Sequence, residues 1–127
     1  GHSSDTNLMT LSNGTLIVDG DVVVSSDVRL KSNIVDLGPT LLSLLKLEAK
    51  KYTLKNDEQQ RKKIGLLAQE VQKVFPELTV EDKNGMLSVN YQALVPVLIN
   101  ALKEQEENYK ELENSIEILE KEFMKNK

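Results

Sequence analysis

Apolar positions follow three different spacings along this chain. Residues 1–25 carry short β-branched runs behind turn dipeptides: Asn13-Gly14 precedes Thr15-Leu16-Ile17-Val18, and Asp19-Gly20 precedes Asp21-Val22-Val23-Val24. Asn-Gly and Asp-Gly supply the positive φ of tight turns, and the Val/Ile runs suit strands. Strands of about four residues bury little alone. The arm is therefore expected to complete a sheet built by something else, either a longer chain upstream or copies of itself.

Residues 26–90 read as the globular part. Gly38-Pro39 punctuates ahead of an apolar helix over Leu41-Leu42-Ser43-Leu44-Leu45, with the Pro suited to a first helical position. Alternation through Lys51-Tyr52-Thr53-Leu54 predicts a strand. A polar loop from Lys55 to Lys63 follows, and Ile64-Gly65-Leu66-Leu67 returns as the hairpin partner. Ala68 to Phe75 has helical spacing, with Val71, Val74 and Phe75 on one face, and Pro76 stops it. A second hairpin is expected around Asn84-Gly85, between Leu78-Thr79-Val80 and Met86-Leu87-Ser88-Val89. Asn90 then stands where an N-cap belongs.

From Tyr91 to the end the spacing predicts one helix of about 35 residues, about 50 Å long at ~1.5 Å rise per residue. Pro96 falls in its first turns. Leu98, Leu102, Gln105, Tyr109, Leu112, Ile116, Leu119 and Phe123 then alternate steps of four and three, an a/d heptad stripe flanked by Glu and Lys. A globular part as small as residues 26–90 could hardly cover so long a stripe, so an oligomeric coiled coil is expected rather than a helix lying on its own core. The pattern leaves the number of strands open, although Gln105 and Tyr109 do not resemble a tight dimer zipper. The fold class expected is α+β: a short N-terminal β-arm (1–25), a small hairpin-and-helix globular part (26–90) and a long C-terminal coiled-coil helix (91–127).

Composition narrows the chemistry. At 127 residues, with 39% hydrophobic and 28% charged, the chain is one small domain with an appendage, soluble but lean in core material. It has no cysteine, which excludes a disulfide framework, thiol catalysis and Cys-based zinc sites. The Gly1-His2 opening, lacking Met, reads as a fragment end or an expression scar, which would remove the single His from the native inventory. Lys and Arg total 16 against 20 Asp and Glu, and the net charge of -4 speaks against broad nucleic-acid binding. No apolar run approaches the ~20 residues of a membrane span, and no secretory signal pattern opens the chain. Neither of the common Gly-rich phosphate loops occurs. Glu104, Glu106 and Glu107 read as a solvated helix face rather than metal ligands, and neither metal nor cofactor is expected. The cations Lys50, Lys51, Lys55 and Arg61-Lys62-Lys63 read as a solvated hairpin rather than a phosphate site.

One segment stands apart, Ser25-Ser26-Asp27-Val28-Arg29-Leu30-Lys31-Ser32-Asn33-Ile34, at the junction of arm and globular part. Without Cys or a native His, the hydrolytic chemistry left open is a Ser-Lys dyad, here Ser26 and Lys31. The hydroxyl attacks a carbonyl and a neutral amine takes its proton. A lysine amine ordinarily titrates near about 10.4, so the neutral form needs burial or a nearby cation. Arg29 is close enough in sequence to help, although alternation would set it on the other face. On spacing alone, a turn capped by Ser and Asp beside a surface lysine is the stronger account.

The same segment carries a resemblance. Ser26-Asp27-Val28-Arg29-Leu30-Lys31-Ser32-Asn33-Ile34 resembles the S-D-x-R-L-K-x-x-I signature of the intramolecular chaperone auto-processing domain, the S74 peptidase family. Ile64 to Leu78 resembles that family's I-G-x-x-A-Q-E-V-x-x-x-x-P-E segment, and Leu87 to Leu98 its V-x-Y-x-x-L-x-P-x-L stretch, continuing through Ala101 and Lys103-Glu104. The three blocks run in order from residue 26 to about residue 104, and together they are specific where each alone is not. The resemblance implies a C-terminal domain of a phage tailspike, endosialidase, tail fibre or neck appendage protein, made in the host cytoplasm and placed on the virion. Such a domain trimerises, guides folding of an upstream triple-stranded β-structure, and cuts itself off. Carried over by position, it implies Ser26 as nucleophile and Lys31 as general base, with the Ser25-Ser26 bond cut. Asp27, Arg29 and Asn33 become supporting residues, and the heptad stripe becomes the trimer interface. The partners implied are two further copies and the upstream part of the same chain, with no nucleic acid and no membrane.

The physics of assembly agrees with that expectation. An intertwined β-structure must form non-local and intermolecular contacts before they are rewarded. A trimerising module raises the effective concentration of the three chains and lowers that barrier. Two other readings stay in view: a non-cleaving homotrimerisation module with the same fold, and a coiled coil that binds nucleic acid or another partner.

Overall fold

The computed structural model describes residues 8–12 and 14–126. Within them the architecture is α+β, built of three two-stranded antiparallel sheets, two short helices and one long helix. No described helix is long and apolar enough to cross a membrane. The chain divides into two compact units. One runs up to Val35 and takes in Leu54–Arg61, and the other comprises Asp36–Thr53 and Lys62 onward.

The first unit begins with strands β1 (Met9–Ser12) and β2 (Thr15–Val18), paired from Met9↔Val18 to Ser12↔Thr15. The expected turn residue Asn13 lies outside the described residues, and Gly14 has the positive φ, 72°, that the turn requires. Leu11 is 77% exposed and Ile17 58%, so this hairpin buries neither face. The second run expected as a strand, Asp21-Val22-Val23-Val24, pairs with nothing and is not a strand. A strand exists only against a neighbour's hydrogen bonds, and none is supplied within the described chain. Leu54–Arg61 forms a loop held by Asp57, whose carboxylate accepts from the Arg61 backbone N–H and Nε, each at 3.0 Å.

The second unit holds the core. Helix α1 (Leu41–Leu44) follows Thr40 as N-cap, so Pro39 stands outside the helix rather than at its first position. Strands β3 (Lys50–Tyr52) and β4 (Lys63–Gly65) pair in register Lys51↔Ile64. Helix α2 (Ala68–Val74) ends before Phe75, as Pro76 requires, and a short 3-10 turn leads into β5 (Thr79–Glu81). Strand β6 (Leu87–Val89) returns antiparallel. Its turn is tied by the Asp82 carboxylate, which accepts from Asn84 N and Met86 N, with Gly85 at φ 81°. Asn90 caps a 3-10 turn, Tyr91–Ala93, with no side-chain cap bond, and helix α3 (Leu94–Lys125) follows. Pro96 is its third residue, where the backbone N–H has no intrahelical partner to lose. Val71, Phe75, Leu78 and Val97 form the buried cluster, with Leu44, Leu66 and Val89 packed against it.

Two contacts explain residues of the sequence blocks. The Tyr91 hydroxyl accepts from Leu66 N–H at 2.8 Å. A Cβ on Gly65 would stand 2.8 Å from that hydroxyl oxygen and 3.2 Å from Tyr52 Cε1. Only glycine leaves room for both rings, so the I-G of one block and the Tyr of the next are two halves of one contact.

Helix α3 shows two faces. Val97 and Ala101 are each 4% exposed against their own unit. Leu98 and Leu102, a third of a turn round the helix, are 52% and 66% exposed, and Leu112, Leu119 and Phe123 are similarly open.

Candidate functional site

The segment after Val24 turns sharply. Asp27 has extended backbone and N-caps a 3-10 turn, Val28–Leu30. Its Oδ1 accepts from Arg29 N at 2.9 Å and Arg29 Nε at 3.1 Å, and its Oδ2 from Arg29 Nη2 at 2.9 Å. Backbone bonds from Leu30 N to Asp27 O and from Lys31 N to Val28 O close the turn. Sequence spacing alone would leave residues five apart well separated along an extended strand; the turn brings them back together. Lys31 Nζ donates to Ser26 Oγ at 2.6 Å.

Of the residues expected here, Ser26 and Lys31 therefore meet directly, and Asp27 and Arg29 lock the turn that joins them. Asn33 has φ 55°, the left-handed region that Asn tolerates better than most residues, and it bends the chain just beyond Lys31. Ser25 lies ahead of the turn, outside any helix or strand. The suggestion that Arg29 acts as a free cation beside Lys31 meets a different arrangement, because its guanidinium is forked onto Asp27. That fork holds the Asp27 carboxyl below its usual range, the Arg29 side-chain hydrogen bond being the main cause and the Arg29 backbone N–H the next. Both Ser26 and Lys31 are exposed to solvent in the single chain.

The cations read as a solvated hairpin are partly matched: Arg61 pairs with Asp57 and Lys50 with Glu48. Among the described residues no group of three or more His, Cys, Asp or Glu is placed to hold a metal ion. Glu104 departs from the expected solvated face. Its Oε2 accepts from Thr40 N at 2.8 Å and Leu41 N at 3.0 Å, and so caps α1 from another helix. Asn100 Nδ2 donates to Gly38 O at 2.7 Å and to Thr40 Oγ1 at 3.1 Å beside it. Sequence reading missed this cluster, since its partners are some 60 positions apart; the one available signal was that Lys103-Glu104 continues the third block.

The comparisons with known proteins fall on this segment. Residues 26–80 match the family described as chaperone of endosialidase, Peptidase S74, and the match begins at Ser26. The chain is 35% identical over 92 residues to the long tail fiber protein of Escherichia phage AR1, an alignment covering 66% of this chain and 8% of that protein. It is 34% identical over 87 residues to myelin regulatory factor homolog 1 of Caenorhabditis elegans, covering 61% of this chain and 9% of that protein. The chain thus spans less than a tenth of the length of either relative. A turn that joins Ser26 to Lys31, a glycine–tyrosine contact that ties the second block to the third, and a family match that starts at Ser26 point the same way: residues 26–80 of this chain are similar to the chaperone of endosialidase family.

Proposed function

We propose that this chain is the self-removing chaperone end of a fibre-type protein. Residues 91–127 trimerise it, residues 26–90 form its body, and residues 1–25 are the end of the β-structure whose folding it guides. The observation that carries the reading is the 2.6 Å contact between Lys31 Nζ and Ser26 Oγ at the first residue of the family match. The similarity to a phage long tail fiber protein supports a fibre as the parent and the virion as its destination.

In this reading Ser26 Oγ attacks the Ser25 carbonyl carbon while its proton passes to neutral Lys31 Nζ. Collapse breaks the Ser25–Ser26 C–N bond, and the proton returns from Lys31 to the departing Ser26 amine. Water then hydrolyses the Ser25 ester, leaving a Ser25 carboxylate and a Ser26 hydroxyl. A protonated amine cannot serve as the base, and removal from water favours the neutral form. Solvent surrounds the dyad in the single chain, so the reaction waits for packing with further copies. Cleavage then reports a completed trimer, and losing the module leaves the fibre held by a kinetic barrier to unfolding.

The test is mass spectrometry on the chain extended upstream through its β-structure. The parent sequence should yield a fragment beginning at Ser26, and Ser26→Ala and Lys31→Met should each remain whole. Cleavage that persists in Ser26→Ala overturns the dyad. An uncut parent chain that still trimerises leaves a homotrimerisation module with the same fold, the reading favoured by the dyad's exposure in the single chain.

A further inference from the structure

We propose that Glu104 and Asn100 are positioning residues for this cleavage, holding the Gly38–Leu41 segment to α3 so that assembly of α3 restrains the tether leading to Lys31. The inference rests on the self-cleavage reading above.

Three observations carry it. First, the cluster is denser than a four-residue helix such as α1 requires. Glu104 Oε2 takes the Thr40 and Leu41 N–H groups, with the Thr40 hydroxyl at 3.2 Å, while Asn100 holds the Gly38 carbonyl. Thr40 is 3% exposed, so these bonds form where water competes little. Second, Val97, Asn100, Ala101 and Glu104 lie on one face of α3, while Leu98, Leu102 and Gln105 begin the heptad stripe on an adjacent face. The same turns of one helix thus grip Gly38–Leu41 and enter the coiled coil. Third, the chain from Lys31 to Gly38 reaches at most about 25 Å even fully extended, and the Asn33 turn shortens that reach. Whatever fixes Gly38 therefore holds one end of the short tether that leads to Lys31. A carboxylate replaced by a methyl leaves the Thr40 and Leu41 N–H groups without their acceptor, whereas an amide keeps an acceptor oxygen at the same length.

The experiment uses the upstream-extended chain with Glu104→Ala, Glu104→Gln and Asn100→Ala, each also made with Ser26→Ala for structural measurements. Sedimentation reads assembly, mass spectrometry reads the rate of Ser26-fragment appearance, and amide hydrogen exchange reads the backbone. Glu104→Ala should still trimerise and keep protection in α2 and β5–β6, lose protection at Thr40 and Leu41, and cleave more slowly by about tenfold or more. Glu104→Gln should recover most of the rate. Glu104→Ala trimers that cleave at the parent rate overturn the proposal, as does a loss of core protection throughout the second unit that Glu104→Gln fails to restore. A parent chain that trimerises but never cleaves sinks the dyad reading and this one with it; parent-rate cleavage in Glu104→Ala sinks only this one.

Discussion

Asn33 holds φ 55°, which an L-residue adopts at a cost of about 1–2 kcal/mol unless it is Gly or a short polar residue. Asn33→Gly should keep the turn after Lys31, whereas Asn33→Val should strain it. In the extended chain we expect near-parent cleavage from the first and about a tenfold slower fragment release from the second, since ~1.4 kcal/mol is a factor of ten. Gly65 is constrained differently, by space. Gly65→Ala puts a methyl against the Tyr91 hydroxyl and Tyr52, and must break the bond to Leu66 N–H or move a ring. Chemical denaturation should show a loss of about 1–3 kcal/mol, the usual cost of overpacking. That Ser26, Asp27, Arg29 and Lys31 lie close together was legible in the sequence, because one short turn joins them, with Asn33 just beyond it. Their roles were less so: that Arg29 closes the turn through Asp27 rather than acting on Lys31 depends on which way its side chain folds back.

At the level of elements, α1 is too short to stand alone and is capped by a carboxylate from α3. The backbone N–H of Thr40 is the main cause that holds the Glu104 carboxyl below its usual 4.5, with burial opposing. A depressed folded value means that the bond stabilises fully above the ordinary value and fades as pH falls below it through the folded one. Thr40 and Leu41 amides should therefore exchange faster as pH drops through that range, after correction for intrinsic rates. In Glu104→Gln that extra acid dependence should vanish; an unchanged slope would refute the cap. The elements of the second unit were readable from period and punctuation, as with Pro76 ending α2 and Asn84-Gly85 turning β5 into β6. The unpaired Val22–Val24 run was not, because β propensity specifies a willing strand and not its neighbour.

For the whole molecule, the open heptad face is the decisive feature. Leu112 is 59% exposed and Ile116 47%, in line with a seam that other copies would cover. Glu at both positions places charges in that seam. We expect Leu112→Glu/Ile116→Glu to sediment as a monomer with the second unit still folded, and to release no Ser26 fragment from the extended chain. Efficient cleavage by that monomer would separate the chemistry from assembly and remove the coupling proposed above.

Local order along this chain came from the residues alone: turn dipeptides, the two apolar periods, the proline stops, and the spacing that lets one turn join Ser26 to Lys31. These follow from backbone sterics and side-chain periodicity, which act over a few positions. The contacts between distant positions came from folding: Tyr91 on Leu66, the glycine that makes room for it, and Glu104 capping α1 from the long helix. Such pairings depend on which surfaces meet once the core of Val71, Phe75, Leu78 and Val97 is packed, and no local pattern encodes that meeting.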